Sequence, residues 1–213
     1  MPEAVNLFIE NGTFSKPFNV QKRIYKDYED DITKYVEGLD SAKVKNIYRH
    51  ISTQLSKDNH KFQISKVSHG ARAREYQGTE EWLKDAGIIN IAYNLEELKL
   101  PFSSYEISDY FRIYYADHSL FIANLDEESK EDLVVNSNYE IYNGALSEAL
   151  IKSGFKLYFY KNTDATIELD FVIRIKNEII PIEVKRNRGR SKSLNVILNN
   201  NENINYGIKL TGG

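Results

Sequence analysis

Cysteine is absent from this chain of 213 residues. That excludes disulfides, thiolate zinc sites, iron–sulfur clusters and thiol catalysis. The four histidines, His50, His60, His69 and His118, never fall at the spacing of a His-x3-His zinc site. No GxxxxGK[ST] and no GxGxxG occurs, so the chain itself shows no phosphate-cradling loop. No apolar run approaches membrane-spanning length and the N-terminus has no signal-peptide core, so a soluble cytoplasmic protein without a membrane partner is expected. A strong basic field is missing too: the net charge is −3. The charge is unevenly spread, however. Residues 130–213 carry 12 Lys and Arg against 10 Asp and Glu, leaving 16 against 21 in residues 1–129.

What is present is a globular composition, 41% hydrophobic and 28% charged, with 15 Tyr and 10 Phe. A packed core is therefore expected. Three segments follow from the patterning. Residues 1–40 read as a helical segment, with Ile24, Tyr28, Ile32 and Tyr35 on one helical face. Residues 41–125 predict a helix from Ser41 with Val44, Ile47, Ile51 and Leu55 inward, a short element near Phe62–Val67, and a second helix over 71–86. Strands are then predicted at "GIINIAYN", "DYFRIYY" and "SLFIANL". This is the order of a winged helix-turn-helix. Lys61, Lys66, Arg72 and Arg74 would meet phosphates near the start of its second helix. The acids Glu75, Glu80, Glu81 and Asp85 argue equally for a compact interdomain module. The polar "DEESKEDLVVNSN" marks a boundary at 126–138, and residues 126–213 read helix–strand–strand–strand–helix–strand, so the chain as a whole is α+β or α/β. In the first of these helices Ile141, Ala145 and Ala149 are expected to face inward, with Leu146 and Leu150 as further candidates.

The chemistry concentrates in "IELDFVIRIKNEIIPIEVK", Ile167 to Lys185. Side chains alternate along strands, so Glu168, Asp170, Val172 and Arg174 share one face, as do Pro181, Glu183 and Lys185. An even-length turn keeps the apolar sets together. With Lys176-Asn177 as the turn, Asp170 faces Glu183; with Asn177-Glu178, Asp170 faces Lys185. Facing carboxylates repel, and a divalent cation such as Mg²⁺, which prefers oxygen ligands, would compensate them. A solvated hairpin face with Glu–Lys pairing is the competing reading. The basic run "KRNRGRSK", with Arg186, Arg188 and Arg190, offers phosphate contacts nearby.

The order helix acid, Asp, then Glu-x-Lys resembles the PD-(D/E)xK nuclease-like (restriction-endonuclease-like) fold, whose core is αβββαβ. Together with "YKDYEDDITKY", "KFQISKVSHGARAREYQGTEEWLKDAGII", "FRIYYADHSLF" and "YNGALSEAL", it resembles the C-terminal part of a large prokaryotic family of AAA+-type ATPases. The resemblance implies an ATP-binding P-loop module ahead of Met1, outside this chain. It implies Glu148 of "GALSE" as the helix acid, Asp170, Glu183 and the Val184 carbonyl as Mg²⁺ ligands, and Lys185 as the residue that positions the attacking water. Ser119 stands where that family's turn carries glycine. The functions implied are Mg²⁺-dependent cleavage of DNA or RNA, or a non-catalytic nucleic-acid- or protein-binding module that regulates the ATPase, with homo-oligomerisation as a further role.

Overall fold

The computed structural model describes residues 1–56, 61–125, 130, 139–164, 166–185 and 190–211. The chain divides into two compact units, Met1–Ile89 with Ile113–Val135, and Asn90–Arg112 with Asn136–Gly213.

The first unit is built on helices α1 (Pro2–Asn11), α2 (Ser15–Tyr35), α3 (Ser41–Leu55), α4 (Thr79–Asp85) and α5 (Ser119–Ala123). Gly12, in the left-handed conformation, ends α1 by returning its N–H to the Phe8 carbonyl, a stop that favours glycine. Asp40 caps α3 by accepting the Ala42 N–H at 2.9 Å. The expected α3 face, Val44, Ile47, Ile51 and Leu55, is buried. On α2 the buried face is rotated from the expected one: Val20, Tyr25 and Ile32 are buried, while Tyr35 is 66% exposed.

Two expectations in this region do not hold. The single helix expected over 71–86 is a 3-10 turn, Ala73–Glu75, followed by α4. Gly78, at φ 80, breaks the path between them, because a continuous helix needs negative φ. The strand expected at "SLFIANL" is helix α5. Asp117 explains the difference: its Oδ1 accepts the Ser119 N–H at 3.0 Å, meeting the open donors of a helix start.

The second unit holds most of a six-stranded sheet, of order β2-β1-β3-β4-β5-β6. The strands are β1 (Ile89–Leu95), β2 (Glu106–Tyr115), β3 (Tyr158–Lys161), β4 (Glu168–Ile175), β5 (Glu178–Lys185) and β6 (Ile208–Thr211), with α6 (Tyr139–Lys152) and α7 (Lys192–Asn200). β1 runs parallel to β3 and β5 parallel to β6, whereas β3–β4 and β4–β5 are antiparallel. The order α6, β3, β4, β5, α7, β6 is the one expected for residues 126–213. The strands "GIINIAYN" and "DYFRIYY" are found, as β1 and part of β2, inside this sheet. The chain is thus a mixed α+β protein.

On α6 the inward face differs in part from expectation: Leu150 is buried as expected, but the alanines are not. Asn143, Gly144, Ser147 and Leu150 are buried, and Ala145 and Ala149 are exposed. Small residues on the covered face let a helix lie close to its neighbour, and α6 packs against β5. At Gly207 a Cβ would stand 2.5 Å from Leu194 Cδ1 and 3.1 Å from Pro181 Cγ, so any larger residue there must displace the Leu194 side chain and press on Pro181. No helix among the described residues is long and apolar enough to cross a membrane.

Candidate functional site

The β4–β5 hairpin decides between the two registers. Phe171 pairs with Ile182, Val172 with Pro181, and the ladder closes at Ile175 and Glu178. The turn is Lys176-Asn177, with Lys176 in the left-handed region at φ 56. Continued outward, this register sets Asp170 against Glu183. Neither face of the hairpin is solvated here. Leu169, Phe171, Ile180, Ile182 and Val184 are buried on one side. On the other, Asp170 is 4% and Glu183 2% exposed. The solvated-face reading therefore fails, because an ordinary outer face would leave these carboxylates in water.

Protein groups surround both acids. Asp170 Oδ2 accepts the Val184 N–H at 2.7 Å. The backbone pairing of β4 with β5 stops one residue earlier, so the side chain of β4 takes over where its main chain leaves off. Glu183 Oε1 pairs with Lys185 Nζ at 2.7 Å. Its Oε2 accepts the Leu194 N–H at 3.4 Å, in the first turn of α7, where a negative group meets the positive end of the helix. Ser193 Oγ, in the same turn, accepts the Glu168 N–H at 3.2 Å.

A second set of charges lies along the same β4 face. Glu168 pairs with Arg112 of β2 and with Lys161 of β3 at 2.6 Å. Lys161 is directly opposite Glu168 in the β3–β4 ladder. Arg112 is 1% exposed, lies with its guanidinium carbon 4.0 Å from the Phe159 ring centroid, and donates from Nη1 to the Asp170 carbonyl at 3.4 Å. Three carboxylates and three cations thus occupy one stretch of sheet. Arg112 and Lys161 are not among the residues the sequence picks out. The available signal was the arginine inside "DYFRIYY": residues 111–115 are buried without interruption, so this arginine has no wet side and must find a partner.

The remaining candidate residues are dispersed. Glu148, on α6, makes a 2.5 Å ion pair with Lys152 one turn on. Among the described residues no three His, Asp or Glu side chains gather as a metal-holding group. Lys66, Arg72 and Arg74 are exposed and Lys61 half-buried, on irregular and 3-10 segments of the first unit rather than on one recognition helix. Arg190 is exposed. Arg186 and Arg188 lie outside the described residues. Two carboxylates and the Val184 carbonyl are nonetheless hard oxygen donors, the chemistry that Mg²⁺ accepts. By donor type, the pair Asp170 and Glu183 fits such an ion.

Residues 1–131 match the family model described as domain of unknown function DUF8612, more than half of the chain. The chain belongs to the DUF8612 family. Residues 140–212 match a second model, described as domain of unknown function DUF4143. No curated protein and no solved structure matches. In this DUF8612 chain, Glu148, Asp170, Glu183 and Lys185 all fall within the region similar to DUF4143. The join between the two matches overlaps the polar stretch 126–138.

Proposed function

We propose that residues 126–213 form a PD-(D/E)xK nuclease-like domain that hydrolyses phosphodiester bonds of nucleic acid with a divalent metal, within the C-terminal region of a prokaryotic AAA+-type ATPase. One observation carries the reading: two carboxylates, Asp170 and Glu183, are buried on facing positions where the β4–β5 ladder opens, with Lys185 bonded to one of them. Asp170, Glu183 and the Val184 carbonyl would hold Mg²⁺, which supplies Lewis-acid polarisation of a phosphoryl oxygen when bound. Lys185 Nζ, anchored by Glu183 and partly open to solvent, orients a water. Arg112 holds the Asp170 backbone in place, and the α7 N-terminus fixes the Glu183 carboxylate. The exposed Lys66, Arg72, Arg74 and Arg190, and the half-buried Lys61, are cations that a nucleic-acid backbone would meet.

The test is cleavage of single- and double-stranded DNA and RNA with Mg²⁺ or Mn²⁺, comparing the native chain with Asp170→Asn and Lys185→Ala. Both variants should lose at least about 100-fold in rate, with circular dichroism unchanged. Equal rates in all three proteins, or no cleavage by the native chain, would sink the assignment.

A second reading, a non-catalytic nucleic-acid- or protein-binding module that regulates the ATPase, is favoured by the charge balance. Arg112, Lys161 and Lys185 already answer Glu168 and Glu183. Binding without cleavage that weakens steeply with salt would identify it.

A further inference from the structure

The first unit contains a cavity of about 260 Å³ between α1, α2 and α5. Phe8, Phe14, Pro17, Phe18 and Ile122 give it apolar walls, and Gln21 is the polar residue at its border on α2. Phe8 and Phe14 stack with ring centroids 4.5 Å apart, and Phe14 and Phe18 follow at 5.8 Å. Phe8 and Phe14 are nevertheless 38% and 40% exposed, so the cavity opens to solvent through an aromatic rim.

Gln21 is the unusual member. It is 8% exposed, and its Oε1 is shielded from solvent while accepting no hydrogen bond among the described residues. Burying an amide oxygen without a donor is costly, and buried polar groups are nearly always satisfied. A terminal amide turns easily about χ3, which lets this oxygen meet a donor placed in the cavity. A ligand that brings an apolar ring and one N–H or O–H would fill the space and satisfy the oxygen together.

Size and charge narrow the class. Ligand cavities usually measure ~300–1,000 Å³, so this one is at the small end and suits one or two fused rings rather than a nucleotide. Ser119 also lines the cavity, and its hydroxyl is committed to the Asp117 carboxylate. That carboxylate is in turn paired with the Met1 ammonium at 2.8 Å, and Met1 also lines the cavity, so these charges answer each other and the lining suits a neutral ligand. From these observations we infer that the α1–α2–α5 cavity binds a small neutral aromatic molecule with one hydrogen-bond donor, held by Gln21.

Indole and indene are matched probes, nearly equal in shape, of which only indole carries the N–H. Ligand-observed NMR titrations of the full chain should show indole binding at least about 5-fold more tightly than indene, the effect of one hydrogen bond to an otherwise unsatisfied group. Gln21→Met keeps the length and removes the acceptor, so it should bring the two affinities together. Ala4→Leu, which places bulk in the cavity wall, should abolish both while the circular-dichroism melt stays cooperative. Equal affinities for the native chain, a preference for indole that persists in Gln21→Met, or no binding of indole at millimolar concentration would each overturn the inference.

Discussion

Both units bury polar groups, but they do so by different chemistry. The first unit gathers neutral hydroxyls at its centre, and a cation it also buries, Lys130, lies 5.6 Å from the centroid of the Phe18 ring. Tyr25 and Tyr48 stack at 4.6 Å, and Tyr115 meets Tyr48 edge-on at 5.6 Å. Tyr48 Oη donates to the Tyr25 carbonyl at 3.2 Å, and Tyr115 Oη to the Tyr48 carbonyl at 3.0 Å. Ser52 and Asn124 complete the network around Tyr115. Burial pushes the Tyr48 and Tyr115 phenols up, with the neighbouring tyrosines acting in the same direction. The second unit buries full charges, with Arg112, Asp170 and Glu183 all nearly inaccessible. A neutral network adds directional bonds at low desolvation cost, whereas buried ions hold only while every partner remains. The first arrangement suits a scaffold, and the second suits a site whose charges have work to do.

The sharpest way to break the contrast is Arg112→Met. It leaves Glu168 without its most buried partner and removes the Arg112 donor from the Asp170 carbonyl. Stability around β4 should fall by about 1–3 kcal/mol, less than for a fully buried pair broken on one side, because Glu168 is 27% exposed and keeps Lys161. Native-state hydrogen exchange at the Phe171 and Ile173 amides would read this, and a loss below about 1 kcal/mol would show the network to be dispensable.

Alkaline pH should act on the first unit instead. Unfolded tyrosines ionise near the ordinary value of 10.0, while the buried Tyr115 keeps its proton. Above that pH the unfolded state holds fewer protons, so stability is full below about pH 10 and falls as pH rises, by up to ~1.4 kcal/mol per pH unit for each such tyrosine. Urea unfolding at several alkaline pH values measures the slope, and Tyr115→Phe should flatten it by one tyrosine. An unchanged slope would mean that Tyr115 ionises as freely folded as unfolded.

The smallest effect is expected at Glu148. Its pair with Lys152 is an i,i+4 contact on a helix surface, so Glu148→Ala should change stability by less than about 0.5 kcal/mol. A large loss of cleavage with that small change in stability would mark the residue as part of the site.

Much of the hairpin was legible because its constraints are local. Period-two alternation on two faces and a two-residue turn leave two registers, and the observed pairing of Phe171 with Ile182 selects between them. The α3 face was legible for the same reason: Val44, Ile47, Ile51 and Leu55 recur at helical spacing. The path from Ala71 to Ala86 was not, because apolar residues keep helical spacing on both sides of Gly78, whose left-handed φ interrupts the helix. "SLFIANL" is a short apolar run, which periodicity alone does not assign to strand or helix; Asp117 two residues before Ser119 was the deciding letter. Arg112 escaped because its partner Glu168 lies 56 residues away, and no pattern within a strand points across that distance.

Asp170 holds two offices at once. Its carboxylate closes the backbone at Val184, so a chain that had given up chemistry would still need an acceptor of that length there to keep its hairpin together. Lys185 has no such architectural duty: its ammonium touches Glu183 and opens toward water. Among relatives of this chain, an aspartate in the ELDF position therefore reports on architecture as much as on activity. The lysine two residues beyond the glutamate is the letter whose loss would be the plainer sign of a retired active site.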